Sequence, residues 1–353
     1  MDELDTHVRS SGAATPFSRR NLLLGTVAAF SPLSGHSEIA ADDHRRDSFD
    51  VLRLFRPIAS TVRPSMAQII VGSHAVALGA VVDADGAVLT KHSELTNEPI
   101  RVRLGDGRIY PARVAATRRG NDLALLQVDA PEPLSAVTFE NFMPSLGSFL
   151  ITPGRTGRPI GVGVLGAKQR RIDARPRLGV ELASEPVGAR VKRVVPGSGA
   201  DDAGVFADDI IIGIDGVGHT SREQIMSTLG RMFPGEAVKL TVLRRRGADE
   251  GSPADGSLNR LELRAVIRER SLIGEDENDA RVNGRRSQRP SGFDRVIQHD
   301  TVLPPDRCGG PLLDTGGRVV GLNIARAGRV TTYALPSSLV NLELDALRRQ
   351  WRS

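Results

Sequence analysis

The feature that most constrains this chain is its cadence of short apolar runs cut by turns rich in glycine and aspartate. Met66 to Val71 is apolar, and Val76 to Val82, the turn Asp83-Ala84-Asp85-Gly86 and Ala87 to Thr90 read as a hairpin. Ile100 to Leu104 alternates Ile, Arg, Val, Arg, Leu, as a half-buried strand does. Gly105-Asp106-Gly107 turns it into Ile109 to Ala115, and Asp122 to Val128 follows. Closely spaced short strands predict a mainly β fold of closed antiparallel barrels, because closure leaves no unpaired edge. Helix is expected at two places. Phe49 to Val62 carries Val51, Leu52, Phe55 and Ile58 on one side, and Ser338 to Trp351 is expected to pack Leu339, Leu342, Leu347 and Trp351.

Charge and residue usage exclude several function classes. The net charge is +5, but all except four of the 47 basic residues are arginine, scattered among 42 acids with few aromatics between them. That is a solvated surface rather than a nucleic-acid stripe, so no nucleic-acid partner is expected. The seven histidines show no ligand spacing with cysteine or carboxylate, so neither a metal nor another cofactor is expected. The single cysteine, Cys308, excludes an intrachain disulfide.

Ser18-Arg19-Arg20-Asn21-Leu22-Leu23 places paired arginines directly before an apolar run ending at Phe30, with small residues after it. The order resembles a twin-arginine export signal, and the run is too short for a membrane span, which needs about 20 residues. Residues 1–41 are therefore set apart from the fold, and a periplasmic or otherwise extracytoplasmic location is expected.

Several motifs carry a family resemblance in consistent order. Leu78-Gly79-Ala80-Val81-Val82-Asp83-Ala84-Asp85-Gly86-Ala87-Val88-Leu89-Thr90, Val102 to Arg108 and Asn121-Asp122-Leu123-Ala124-Leu125-Leu126 resemble the first catalytic barrel of HtrA/Deg-type trypsin-like serine proteases. Phe293 to Asp300, Cys308-Gly309-Gly310-Pro311-Leu312-Leu313-Asp314, Gly317 to Ala325 and Tyr333-Ala334-Leu335-Pro336 resemble the second. Between them, Leu178-Gly179-Val180, Pro196 to Ala200, Asp208 to Gly216 and a helix from Ser221 to Phe233 look like a bacterial PDZ domain. The resemblance implies a trypsin-like double β-barrel with a PDZ domain inserted into it. The expected organisation is a first barrel over 49–143, a second from 144–175 and 291–353, PDZ at 176–268 and a flexible return linker at 269–290. The family usually carries PDZ after the protease, so the insertion is a departure. Relatives commonly trimerise, which leaves a homo-oligomer open.

A PDZ domain binds by strand addition, with a peptide C-terminus entering a loop of backbone N–H groups. The resemblance implies Leu178, Gly179 and Val180 for that loop, and Leu182, Ile225 and Leu229 for the apolar wall. Arg175 and Arg177 stand just before the loop. Polypeptide C-termini are thus the expected partners.

The protease resemblance also implies a catalytic set, altered at three places. Cys308 stands at the serine nucleophile's position, and a thiol is competent there if an imidazole generates thiolate. Asp122 matches the orienting aspartate. The family reads Thr-Asn-Asn-His-Val where this chain reads Thr90-Lys91-His92-Ser93-Glu94, so His92 is displaced by one residue and Ser93 holds the register position. Asp306 stands where the family has a glycine whose N–H, with that of the nucleophile Cys308, binds the oxyanion; losing one donor costs about 10²–10³ in rate. Two readings stay open: an endopeptidase using Cys308, or a peptide-binding scaffold that does not cleave.

Overall fold

The computed structural model describes residues 46–245, 258–273 and 284–352; residues 1–41, read above as an export signal, lie outside them. Helix α1 (Phe49–Thr61) is capped by the Ser48 hydroxyl, which accepts from the Val51 N–H, and packs Leu52, Phe55 and Ile58 on the core. Strands β1 (Met66–Val71), β2 (His74–Val81), β3 (Ala87–Lys91), β4 (Ile100–Leu104), β5 (Ile109–Arg118) and β6 (Leu123–Val128) hydrogen-bond in the order β1-β2-β3-β6-β5-β4. Pairing of β4 with β1 closes them into a barrel.

β7 (Phe149–Pro153) and β8 (Pro159–Ile172) begin a second barrel, which the chain then leaves. The excursion comprises β9 (Pro176–Arg177), β10 (Val180–Ser184), β11 (Ala189–Val194), α2 (Gly199–Asp202), β12 (Ile210–Ile214), β13 (Val217–Gly218), α3 (Arg222–Gly230), β14 (Ala237–Arg245), β15 (Leu258–Val266) and β16 (Arg268–Glu269). Its main sheet runs β10-β11-β12-β14-β15, which leaves β10 at an edge. The chain returns with β17 (Phe293–His299), β18 (Pro311–Asp314), β19 (Val319–Gly328) and β20 (Thr331–Pro336), followed by α4 (Ser337–Arg352). The second barrel closes as β17-β20-β19-β18-β7-β8. The fold is thus mainly β, two closed six-stranded barrels with a smaller domain inserted in the second.

Side-chain alternation explains why β3 and β6 read as continuous apolar runs. In β6, Leu126 and Val128 fill the first barrel, while Leu123 and Leu125 face the other way into a shared core. That core also holds Met66 and Leu89 from the first barrel and Ile151, Phe293, Leu313 and Ile324 from the second. Both faces of these strands are therefore dry, as in strands buried on two sides. Truncating a buried leucine of this seam, such as Leu125, would cost about 2–5 kcal/mol.

Two expectations change. Helix α4 buries Leu339, Val340, Leu344 and Leu347, while Leu342 is 61% exposed. Residues 340, 344 and 347 lie one helical turn apart on one face, and 342 points away from it. The return segment, read from its charge as loose, is packed at its described ends. Glu269, Ser287 and Arg289 are buried, Ser291 donates its hydroxyl to Glu269, and the Ser287 N–H donates to the Arg326 carbonyl at 3.0 Å. Residues 274–283 lie outside the described residues.

Candidate functional site

Two sites follow from the sequence, and the fold builds each differently. In the inserted domain, β10 presents an unpaired edge and α3 lies beside it. Ser221 caps α3 by accepting from the Gln224 N–H, and the Gln224 side chain accepts in return from the N–H of Thr220. Between edge and helix runs a groove of about 540 Å³.

The loop at the head of this groove is shaped by Gly179. Its φ is +91°, and a Cβ there would lie 2.1 Å from that of Ser198, so glycine alone fits. The carbonyls of Leu178 and Gly179 point inward, accepting from Ala200 and Val195 at 2.9 and 2.8 Å. The N–H groups of Leu178 and Gly179 find no acceptor among the described residues. An entering carboxylate would give them one, in a loop where N–H dipoles converge.

Leu178, Gly179, Val180 and Leu229 line the groove as expected. Leu182 and Ile225 do not: both pack into the domain's own core, Ile225 fully. Neighbouring helix positions point about 100° apart, so Met226, 49% exposed, takes the wall in place of Ile225. The sequence also gave no sign of Arg193, Arg270 and Ile273 in the lining. Arg270 and Ile273 come from the segment leaving the domain, which β9–β16 pairing brings back beside the loop.

The second site lies at the seam of the barrels. Asp122 follows β5 in left-handed backbone conformation (φ +58°) and is 1% exposed. Ser93 holds both its carboxylate oxygens, donating its N–H at 2.7 Å and its hydroxyl at 2.8 Å. The displaced His92 donates only its main-chain N–H, to the Asp122 carbonyl at 2.9 Å, and its imidazole makes no hydrogen bond among the described residues. Burial lowers the His92 pKa, with Asp122 opposing, so the ring is neutral near neutral pH. Burial likewise raises the Asp122 carboxyl, against Arg289, Lys91 and the Ser93 hydrogen bond.

Cys308 is fully buried, its sulfur facing the Pro304 carbonyl at 3.8 Å. Lys91 and the Arg326 main-chain N–H favour its thiolate, while Glu94 and Asp306 oppose it. Lys91 is itself fully buried and pairs with Glu94 at 2.9 Å. Burial disfavours its charge, but Glu94 and Asp122 oppose this and its pKa is raised. Burial pushes the Cys308 thiol up to about 11 despite Lys91. At the expected oxyanion position, Pro305–Arg307 forms a single 3₁₀ turn. Within it the Cys308 N–H donates to the Pro305 carbonyl at 3.2 Å and the Arg307 N–H to Pro304 at 2.9 Å. The Asp306 carboxylate lies 3.2 Å from the Arg307 guanidinium.

The inserted domain covers this seam. A Cβ on Gly235, which follows α3, would lie 3.6 Å from that of Ser93, and Glu236 pairs with Arg119 at 3.6 Å. Arg289 on the returning chain fixes the junction. Its guanidinium donates to the carbonyls of Arg119, Gly120 and Gly292 and stacks 4.0 Å from the ring of Phe233. Asp122 and Ser93 are thus brought together, while His92 and Cys308 are not joined by any hydrogen bond.

No metal-holding group of His, Cys, Asp and Glu occurs among the described residues, and none of their helices is long and apolar enough to cross a membrane. No curated protein matches the chain. Comparison with known families finds a PDZ domain in residues 176–259, within the inserted domain whose edge strand and groove are described above.

Proposed function

We propose that this chain is an exported peptide-binding protein of HtrA-type descent, which recognises polypeptide C-termini through its PDZ groove and carries that groove on a trypsin-like double barrel that does not cleave. One observation carries the binding reading: the Leu178 and Gly179 N–H groups lie open beside the unpaired strand β10. A terminal carboxylate satisfies the first and an added strand the second.

The loss of cleavage is supported by three features of the seam. Ser93 occupies the base position and holds both oxygens of Asp122, while the His92 imidazole makes no hydrogen bond to that carboxylate among the described residues. The Cys308 N–H is spent within its own turn, so an oxyanion would lack that donor. The thiol is buried and protonated at neutral pH. The rival reading, an endopeptidase with Cys308 as nucleophile, draws on the Lys91 ammonium acting on the sulfur. Residues 1–41 support export, and a role in extracytoplasmic protein quality control follows from the family resemblance.

Purified protein incubated with unfolded casein, beside a Cys308→Ala control, tests the second part: no cleavage by either is expected. Cleavage that disappears in the variant would establish the endopeptidase instead. A C-terminal peptide library tests the first part, since binding should vanish on amidation of the terminus.

A further inference from the structure

The groove is strongly basic and its far end is held shut by a side chain. Arg177, Arg193 and Arg270 line it against one acid, Glu181. Glu181 stands 3.7 Å from Arg193, and no acidic partner for Arg177 or Arg270 occurs among the described residues. At the first position of α3, Arg222 reaches across to the edge strand, and its Nε donates to the carbonyl of Leu182 at 3.0 Å. Its other charged neighbour is the exposed Glu223, at 3.7 Å.

That carbonyl is one a bound peptide needs. A strand added to β10 takes hydrogen bonds from the edge groups that β11 leaves unused. With the terminal carboxylate on Leu178 and Gly179, the last peptide residue lies level with Val180. Side chains alternate along a strand with a period of two. The third residue from the end therefore lies level with Leu182, on the same side as the last, and faces Arg222. Docking a backbone N–H on Leu182 displaces the guanidinium from its only carbonyl, and the cost falls on whatever side chain stands opposite.

We infer that the groove selects C-termini with an apolar last residue and an aspartate or glutamate third from the end, the carboxylate replacing the Leu182 carbonyl as partner of Arg222. A carboxylate accepts a stronger, charge-assisted hydrogen bond from a guanidinium than a carbonyl does. Asparagine there returns only a neutral acceptor, and lysine adds repulsion in a field already set by three arginines. The apolar requirement comes from Met226, Leu229 and Val180 around the loop. This rests on the C-terminal reading above.

The test is fluorescence anisotropy of the full chain with dye-labelled decapeptides ending in valine. They carry Asp, Asn or Lys third from the end, or Asp second from the end, each with a free or amidated terminus. The Asp peptide should bind about threefold to tenfold tighter than Asn, with Lys weakest, and the advantage should be lost when the acid moves by one residue. Arg222→Gln should erase the preference while binding the Asn peptide at least as well, because the Leu182 carbonyl is released. Arg222→Lys, whose ammonium forms a weaker single contact, should keep part of it, and melting curves check that both variants fold. Equal, carboxylate-dependent binding of the Asp and Asn peptides overturns the acid selectivity alone. So does a preference that survives in folded Arg222→Gln. Equal binding of free and amidated peptides, or none at all, overturns the C-terminal reading itself.

Discussion

Cys308 is the chain's only cysteine, so its alkylation by iodoacetamide reports on one atom. With its pKa pushed up to about 11 from an ordinary 9.0, the thiolate population near neutral pH falls about a hundredfold. A more basic thiolate is also more nucleophilic, and a Brønsted slope of about 0.4–0.5 recovers roughly six- to tenfold. Titration alone thus slows the reaction about tenfold. A fully buried sulfur that reacts only when the protein opens regains an ordinary pKa in the open form, and by that route each ~1.4 kcal/mol of opening free energy costs a factor of about ten. The assay is mass-spectrometric labelling of native and guanidinium-unfolded protein at matched pH. Native labelling should be slower by well over tenfold. Labelling of the native protein as fast as the unfolded chain, above all at mildly acidic pH, would mean an exposed, activated thiolate and would refute the reading of a buried, protonated sulfur.

Ser93→Ala removes the hydroxyl that reaches buried Asp122 at 2.8 Å but leaves the main-chain bond at 2.7 Å. It should destabilise the fold by about 1–3 kcal/mol in urea unfolding; an unchanged midpoint would mean that the carboxylate finds another donor. His299, fully buried between Thr301 and Asn323, is held by burial at about 4 against 6.5. Between those values the unfolded chain binds more protons than the folded one, so stability falls as pH drops from 6.5 towards about 4, by about 3 kcal/mol in all. Asn323 accepts the Gly309 N–H at 2.6 Å, so the same acidification should loosen the turn carrying Cys308. A His299→Gln variant should show a flatter dependence of the urea midpoint on pH.

The two barrels and the inserted domain were legible in the chain because their signals are local. Alternation in Ile100 to Leu104 and the turn at Asp83 to Gly86 specify strands and reversals wherever they occur. The cap at Ser221 marked its helix for the same reason, whereas the loop at Gly179 was implied by the PDZ resemblance. Helix phase is not local: Met226, one position after Ile225, takes the groove wall, and Val340 and Leu344, two positions either side of Leu342, take the core face, since which apolar stripe is buried depends on the partner surface.

What the sequence by itself determined, then, was the set of strands and the turns that close them into barrels. Only the tertiary structure decided which residue faces Asp122. The spacing after Thr90 allowed either His92 or Ser93, but pairing of Lys91 with Leu123 ties the end of β3 to the start of β6 and sets Ser93 over the carboxylate. Arg289, Lys91 and Arg222 gain their roles in the same way. Each meets a partner from another part of the fold or sits in a dry seam between barrels, and neither distance across the fold nor burial is written in the residues beside them.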